Sequence, residues 1–433
     1  MKLKYISILP LAALAFGASA ETWTLEQCVD YALSHNISVR SAQLRIADAE
    51  NSLTSAKDAF LPSLDASASQ SFNFGRGLTS ENTYANRNTS NFQWGANMSL
   101  PLFQGTREYH RLKVARLSLS QMLLEHEATR DNVVLNVITQ YLQVLYCKEV
   151  ERSAGSQAGY SAFEVERQKT LLAEGRIPEA DLYDAEAQAA RDNLQLVEAR
   201  NDTQIALVNL ANLLLLQGTS DFDVAPLPEG EPLLPGADAV YAEALTINHS
   251  LLGAREALRV ADANISLAKS GYMPTLSFNA GIGSSYYRLS GLPNEAFSQQ
   301  MRHNYSTYLG FSLRVPIFDG FSTRNSVRSA RINRLSAELQ VEQQQSRLYT
   351  DIQLAYRQAL GARERYNASF ETLEKTRLSF DATREKYSLG RATPQDFEIA
   401  KNNLFRTEVS LIQARFEYLM RYRILQFYRT NRI

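Results

Sequence analysis

Cysteine is nearly absent from this chain: only Cys28 and Cys147 occur in 433 residues. So low a count excludes a disulfide scaffold. Both lie in helical patterns, where a free buried thiol packs as a small apolar residue; a Cys28–Cys147 pairing stays open at this level. Histidine is also scarce. The five (His35, His110, His126, His249, His303) are scattered, with no H-E-x-x-H and no cysteine spacing for a metal. No G-x-S-x-G and no phosphate-binding glycine loop is present. The chain therefore reads as no enzyme, with no cofactor and no metal. Charge of one sign is missing too: 45 basic and 46 acidic residues leave a net of −1, which argues against a nucleic-acid partner. Glycine (20) and proline (12) are sparse, so long regular elements are expected. No uninterrupted apolar stretch of about 18 residues follows the N-terminal segment, so no transmembrane helix is predicted.

What is present begins with a leader. Residues 1–20 read MKLKYISILPLAALAFGASA: two lysines, an apolar run from Tyr5 to Phe16, and Ala18-Ser19-Ala20 as a small-residue cleavage site. This predicts a Sec-type signal peptide. Glu21 follows instead of cysteine, so no lipoprotein anchor is predicted. An exported chain without a transmembrane helix is either soluble or enters an outer membrane as a barrel.

The chain repeats itself. AKDAFLPSL at 56–64 returns as AKSGYMPTL at 268–276. At the same offset Ala32-Leu33-Ser34-His35-Asn36 meets Ala244-Leu245-Thr246-Ile247-Asn248. Slightly further apart, LPLFQG (Leu100 to Gly105) meets VPIFDG (Val315 to Gly320), and Gly175-Arg176 with Asp181-Leu182 meets Gly390-Arg391 with Asp396-Phe397. Two copies are expected, 21–220 and 237–433. The join is the 217–236 segment, which holds four of the prolines and reads as a linker.

Each copy follows one plan. Helical sequence from about Leu25 to Phe60 stops at Pro62. In NFQWGANMSLPLF, Phe92, Trp94, Ala96, Met98 and Leu100 alternate with polar or small residues. That is the period of a strand with one apolar face. Leu276, Phe278, Ala280 and Ile282, then Phe311, Leu313 and Val315, do the same in the second copy. One β-hairpin per copy is predicted, over about 63–102 and 275–316, with long polar, aromatic loops at 75–91 and 286–305. Long helices follow at about 106–172 and 320–389, with one face marked by Val134, Ile138, Tyr141 and Leu145, and by Leu348, Ile352, Ala355 and Ala359. At 1.5 Å per residue each would reach about 100 Å. Return helices are expected at about 178–216 and 394–430. Phe397, Leu404, Leu411 and Tyr418 recur every seventh residue there, as do Leu182, Ala189 and Leu196, which is coiled-coil spacing. Gly175 to Pro178 and Gly390 to Pro394 read as helix-hairpin tips, glycine ending one helix and proline opening the next.

Four half-apolar strands cannot close a membrane barrel, which needs about eight or more, and open edges are costly in lipid. Three copies of the chain would supply twelve strands, with the polar face lining a water-filled lumen. Pro62, Pro101, Pro274 and Pro316 would then mark the junctions where barrel strands become tunnel helices. The fold class expected is a mixed α/β membrane protein: mainly long coiled-coil helices, plus a four-stranded antiparallel share of a trimeric 12-stranded β-barrel.

Together the signal peptide, the paired A-K-x-x-[FY]-x-P segments, the paired P-[LI]-F-x-G segments and the paired glycine-headed tips resemble the TolC-like outer-membrane efflux proteins, over essentially all of residues 22–433. The resemblance implies a homotrimeric channel in the outer membrane of a Gram-negative bacterium, with a large periplasmic portion. It implies docking to a periplasmic adaptor (membrane fusion) protein and an inner-membrane pump of RND, ABC or MFS type, or to a type I secretion engine. It also carries aspartates at an aperture gate. Asp396 matches one such position, while the family's companion aspartate is Ile399 here; Asp181 and Asp184 have the three-residue spacing in the first copy. Gly175, Arg176, Gly390 and Arg391 correspond to the adaptor docking tips. The competing expectation is a periplasmic coiled-coil scaffold without channel activity.

Overall fold

The structure, a computed structural model, describes residues 21–78, 82–86, 88–216, 222–227 and 234–431. The predicted leader and most of the predicted linker lie outside them. In chain order the elements are β1 (Glu21–Trp23), α1 (Leu25–His35), α2 (Ile37–Asp58), β2 (Ser63–Asn73), β3 (Arg76–Leu78), β4 (Tyr84–Asn86), β5 (Thr89–Gln104), α3 (Arg107–Ala173), α4 (Glu179–Leu214), β6 (Phe222–Val224), α5 (Ala237–Ile247), α6 (His249–Lys269), β7 (Thr275–Leu289), α7 (Phe297–His303), β8 (Ser306–Arg314), α8 (Ser322–Ser388) and α9 (Pro394–Thr430). Helix pair, hairpin, long helix and return helix thus occur twice in the same order. No described helix is long and apolar enough to cross a membrane.

The opening helical stretch of each copy is two helices, not one. α1 ends at Asn36 and α5 at Asn248, both with extended backbone, and each donates its N–H to the carbonyl four residues back. These are the two asparagines that align between the copies. Asparagine competes with helix by bonding locally, and the Asn36 carboxamide accepts from Ser38 N at 2.8 Å.

One compact unit comprises the residues to Ser41, Ala128–Asn248 and those from Arg347. Its largest core joins α1, α3, α4 and the β1–β6 pair. Val137, Ile138, Tyr141, Leu142 and Val144 of α3 pack with Cys28, Ala32, Leu210 and Leu214. The short parallel β1–β6 pair was not legible beforehand; Tyr141 Oη pins it by donating to Trp23 O (3.1 Å) and Ala225 O (2.6 Å). Cys28 and Cys147 are buried free thiols in this unit. Burial pushes the Cys28 thiol up to about 12, so it stays protonated and inert.

The other unit comprises Ala42–Glu127 and His249–Ser346. Its antiparallel sheet runs β2-β5-β7-β8 among the described residues. The two hairpins therefore join side by side, β5 against β7. The register sets Leu64 opposite Met98, Met98 opposite Ala280, and Ala280 opposite Leu309. One face is apolar across all four strands, as the alternation requires, and it is most exposed at the edge strands: Leu64 is 76% exposed, and Leu309, Phe311 and Leu313 are 72, 73 and 65% exposed. On the other face Asn97, Gly281 and Tyr308 stand in line. Tyr308 reaches over β7 to donate to Asn97 Oδ1 at 3.2 Å. A Cβ on Gly281 would lie 2.4 Å from the tyrosine ring, so only glycine fits beneath it.

Candidate functional site

Both predicted tips are built alike. At the end of α3, Arg176 N donates to Leu171 O (2.9 Å) and Gly175 N to Leu172 O (2.8 Å). At the end of α8, Arg391 N donates to Lys386 O (2.8 Å) and Gly390 N to Tyr387 O (3.0 Å). This bond pair is a Schellman cap, and it needs a left-handed residue. Gly175 and Gly390 supply it, at φ +68° and +71°. Arg176 is exposed and lies 3.2 Å from Glu174. Arg391 is exposed and forms no ion pair among the described residues.

The tips differ at the start of the return helix. Pro178 caps α4 without a side-chain bond. Thr393 caps α9 through a full capping box with Pro394 at the first turn. Asp396 is the partner in that box. Its carboxylate accepts from Thr393 N (3.0 Å) and Thr393 Oγ1 (2.7 Å), and these bonds hold its pKa below the ordinary value. Asp181 is half-buried and Asp184 exposed on α4; within one chain, among the described residues, no hydrogen bond links either to Asp396.

Three of the four singled-out prolines lie at strand ends: Pro62 just before β2, Pro274 just before β7, and Pro316 after β8. Pro101 lies inside β5, which runs on to Gln104, so it marks no strand end. β2 begins at Ser63, opposite Ser99, so at Pro101 only β7 still pairs with β5, and the register shifts between Pro101 and Phe103. A proline is tolerated where one side of a strand has no partner.

Above the tips lies a feature that the apolar pattern hid. Ser153, Gln157, Ser161, Glu164 and Gln168 of α3 follow one another at spacings of three and four, and all are buried. They meet α4, α8 and α9. Lys401 of α9, 2% exposed, donates to Asp192 Oδ2 of α4 at 2.9 Å and lies 2.7 Å from Glu398 Oε2. Asp192, 3% exposed, also accepts from Ser161 Oγ and from Gln157 Nε2 (2.9 Å). Ser153 Oγ donates to Glu408 at 2.9 Å. Nearer the tip, Tyr387 Oη donates to Glu164 and accepts from Gln168 Nε2 (3.0 Å), while the Arg167 guanidinium lies 4.1 Å from the Tyr387 ring centre. Burial, then the bond to Glu164, push the Tyr387 pKa upward, so the phenol keeps its proton. A lysine beside an alanine of a heptad reads as a solvated residue, which is why sequence reasoning passed over Lys401. The available signal was the polar series on α3, continuing the three-four spacing of Val134, Ile138, Tyr141 and Leu145.

An apolar sheet face exposed at its edge strands, long paired helices and capped hairpin tips define a class: an outer-membrane duct protein. The family model described as outer membrane efflux protein matches residues 28–214 and again 240–427. The chain belongs to the outer membrane efflux protein family. It is similar to the outer membrane protein TolC of Vibrio cholerae, 23% identical with 95% of this chain and 93% of that one covered. It is also similar to the outer membrane efflux protein BepC of Brucella suis, 21% identical with 92% and 83% covered. Among solved structures, the Campylobacter jejuni CmeC outer membrane channel superposes with a TM-score of 0.78 at 18% identity, covering 94% of this chain and 85% of that one. The chain is therefore an outer-membrane channel protein of export and not an enzyme; the periplasmic scaffold alternative is not favoured.

Proposed function

We propose that three copies of this chain close one conduit, the passive exit duct of a tripartite efflux or type I secretion system. The sheet carries this reading. Among the described residues β2 and β8 each pair on one side only, and one sheet face is apolar and most exposed on these edge strands. Such edges are costly in lipid unless another strand covers them. Three four-stranded sheets joined edge to edge make twelve strands, enough for a closed barrel. The Asn97–Tyr308 face then lines the lumen, and helices from three chains continue the duct into the periplasm. Pro62, Pro274 and Pro316 flank the passage from strand to helix, and Pro101 lies within the last residues of β5 before it.

The tips at Gly175-Arg176 and Gly390-Arg391 receive a periplasmic adaptor protein, which links the duct to an inner-membrane pump of RND, ABC or MFS type. Their exposed guanidinium groups and rigid glycine caps suit a helical hairpin partner. Asp396, with Asp181 and Asp184, lines the aperture. Carboxylates repeated by threefold symmetry in a narrow pore repel one another and attract cations. The bonds from Thr393 favour the charged form of Asp396. Proteins similar in sequence include an alkaline protease secretion protein of Pseudomonas aeruginosa and a cation efflux system protein of Escherichia coli, so both protein and ion export fit this reading.

A photo-crosslinking residue at Arg391 in living cells tests the docking. The expected result is a covalent adduct with a periplasmic adaptor. If the protein inserts correctly and captures nothing there, the docking role of the tip is lost.

A further inference from the structure

The apolar face of the sheet changes character along β7. Leu276, Phe278, Ala280 and Ile282 are followed on the same face by Ser284, Tyr286 and Arg288. β5 changes in step, with Phe92 opposite Tyr286 and Ser90 opposite Arg288. The order is apolar, then aromatic, then cationic, which is the sequence of environments from hydrocarbon to headgroup.

At that end β8 has stopped. Its last partner on β7 is Gly283, and β7 continues to Leu289. Side chains replace the missing strand. Asn304 Nδ2 donates to Ser285 O (2.7 Å). Gln300 accepts from Tyr287 N (2.9 Å) and donates to Tyr287 O (3.0 Å). Asn294 does the same at Leu289, at 2.8 and 2.9 Å. These bonds fix α7 beside β7, and Phe297 packs its ring 5.1 Å from Tyr286 and 5.8 Å from Phe92, both on the apolar face. Ser284 Oγ completes the seat by donating to Met301 O at 2.8 Å.

This shelf carries two exposed arginines, Arg288 on β7 and Arg302 in the last turn of α7. Neither has a carboxylate within ion-pair distance among the described residues. The single acid of the loop, Glu295, faces His303 at 3.3 Å. Arg302 is steadied by its bond to Ser298 O at 3.2 Å.

We propose that the rim formed by Arg288 and Arg302 binds the phosphorylated headgroups of outer-leaflet lipid. The proposal rests on the barrel reading above, in which the apolar face meets hydrocarbon. Lipid is the occupant because the rim continues that face, and because guanidinium groups without counter-ions match phosphate in charge and geometry.

The test uses the full-length protein in phosphatidylcholine nanodiscs doped with either a bisphosphorylated glucosamine glycolipid or its dephosphorylated form. Native mass spectrometry reads which lipid stays bound. A basic side chain at a charged membrane surface changes binding roughly fivefold. The wild type should retain the phosphorylated form preferentially, with that preference falling about fivefold in Arg288→Gln and again in the Arg288→Gln/Arg302→Gln double variant. An unchanged preference in the double variant overturns the proposal, as does no preference in the wild type. Displacement of the glycolipid by equimolar inorganic phosphate also overturns it, since the site would then take phosphate from solution. Conductance in pure phosphatidylcholine bilayers is read separately. Its absence in the wild type counts against the barrel itself, while its presence without lipid preference removes only the rim.

Discussion

The helix α3 has two stretches with the same spacing and opposite chemistry. From Val133 to Cys147 its buried face is almost wholly apolar and sits in the largest core. From Ser153 to Gln168 the residues at the same three-four spacing are mainly polar or charged, and equally buried. Apolar contact is non-directional and tolerates small slips of one helix on another. A buried hydrogen-bond network does not, because each slip leaves charged or polar groups unsatisfied. The apolar stretch supplies cohesion. The polar stretch fixes register between α3, α4 and α9, and so between elements from both copies of the repeat.

The sharpest way to break the contrast is Lys401→Met. It leaves Asp192 buried without its ammonium partner, and losing one partner of a buried pair costs about 3–5 kcal/mol. Thermal melting of the purified protein should show a large drop in midpoint. The Lys401→Met/Asp192→Leu variant should recover part of it, since the uncompensated buried charge is gone while Ser161 and Gln157 lose an acceptor. Equal melting of Lys401→Met and wild type would mean the pair carries no such weight. On the apolar stretch, Ile138→Ala should cost about 3 kcal/mol through lost burial and a residual cavity. There a second truncation nearby adds to the loss and rescues nothing. A melting midpoint unmoved by Ile138→Ala would place the cohesion elsewhere.

The sequence made the first stretch legible and hid the second. Val134, Ile138, Tyr141 and Leu145 announce themselves because apolar periodicity is the strongest local signal. Strand faces were legible for the same reason: a period of two sorts Phe92, Trp94 and Met98 from their neighbours. The tips were readable because glycine and proline have positional meaning. The polar stretch was not, because Ser153, Gln157 and Lys401 are residues that usually face water. Only the three-dimensional meeting of α3 with α4, α8 and α9 shows that they do not. Asn36 and Asn248 show the same limit: their alignment is plain in the sequence, but their helix breaks are not. Pro101 shows a further limit: proline signals an interruption, yet a strand unpaired on one side can run through it to Gln104.

The smallest effect separates the two carboxylates that share Lys401. Burial works against the charge on Asp192, but hydrogen bonds from Ser161, Lys401 and Gln157 outweigh it and hold its pKa below the ordinary 3.8. Burial dominates at Glu398 and raises its pKa above the ordinary 4.5, despite Lys401. Glu164, Arg167 and Tyr387 are the other charged or titratable groups of the buried polar stretch toward the tip. The two signs are opposite. A depressed acid gives stability that is present above its unfolded pKa and lost as pH falls through the folded value. A raised acid favours the folded state below its unfolded pKa, and that contribution is lost as pH rises through the folded value. Acidification from neutral should therefore raise the melting midpoint slightly as Glu398 takes its proton, then lower it below about pH 3.8 as Asp192 does. Glu398→Gln should abolish the first limb and keep the second. The Lys401→Met/Asp192→Leu variant should lose the second limb at this site. Melting curves from pH 7 to 3 on the three proteins separate the limbs; a first limb that persists in Glu398→Gln would assign it to another carboxylate.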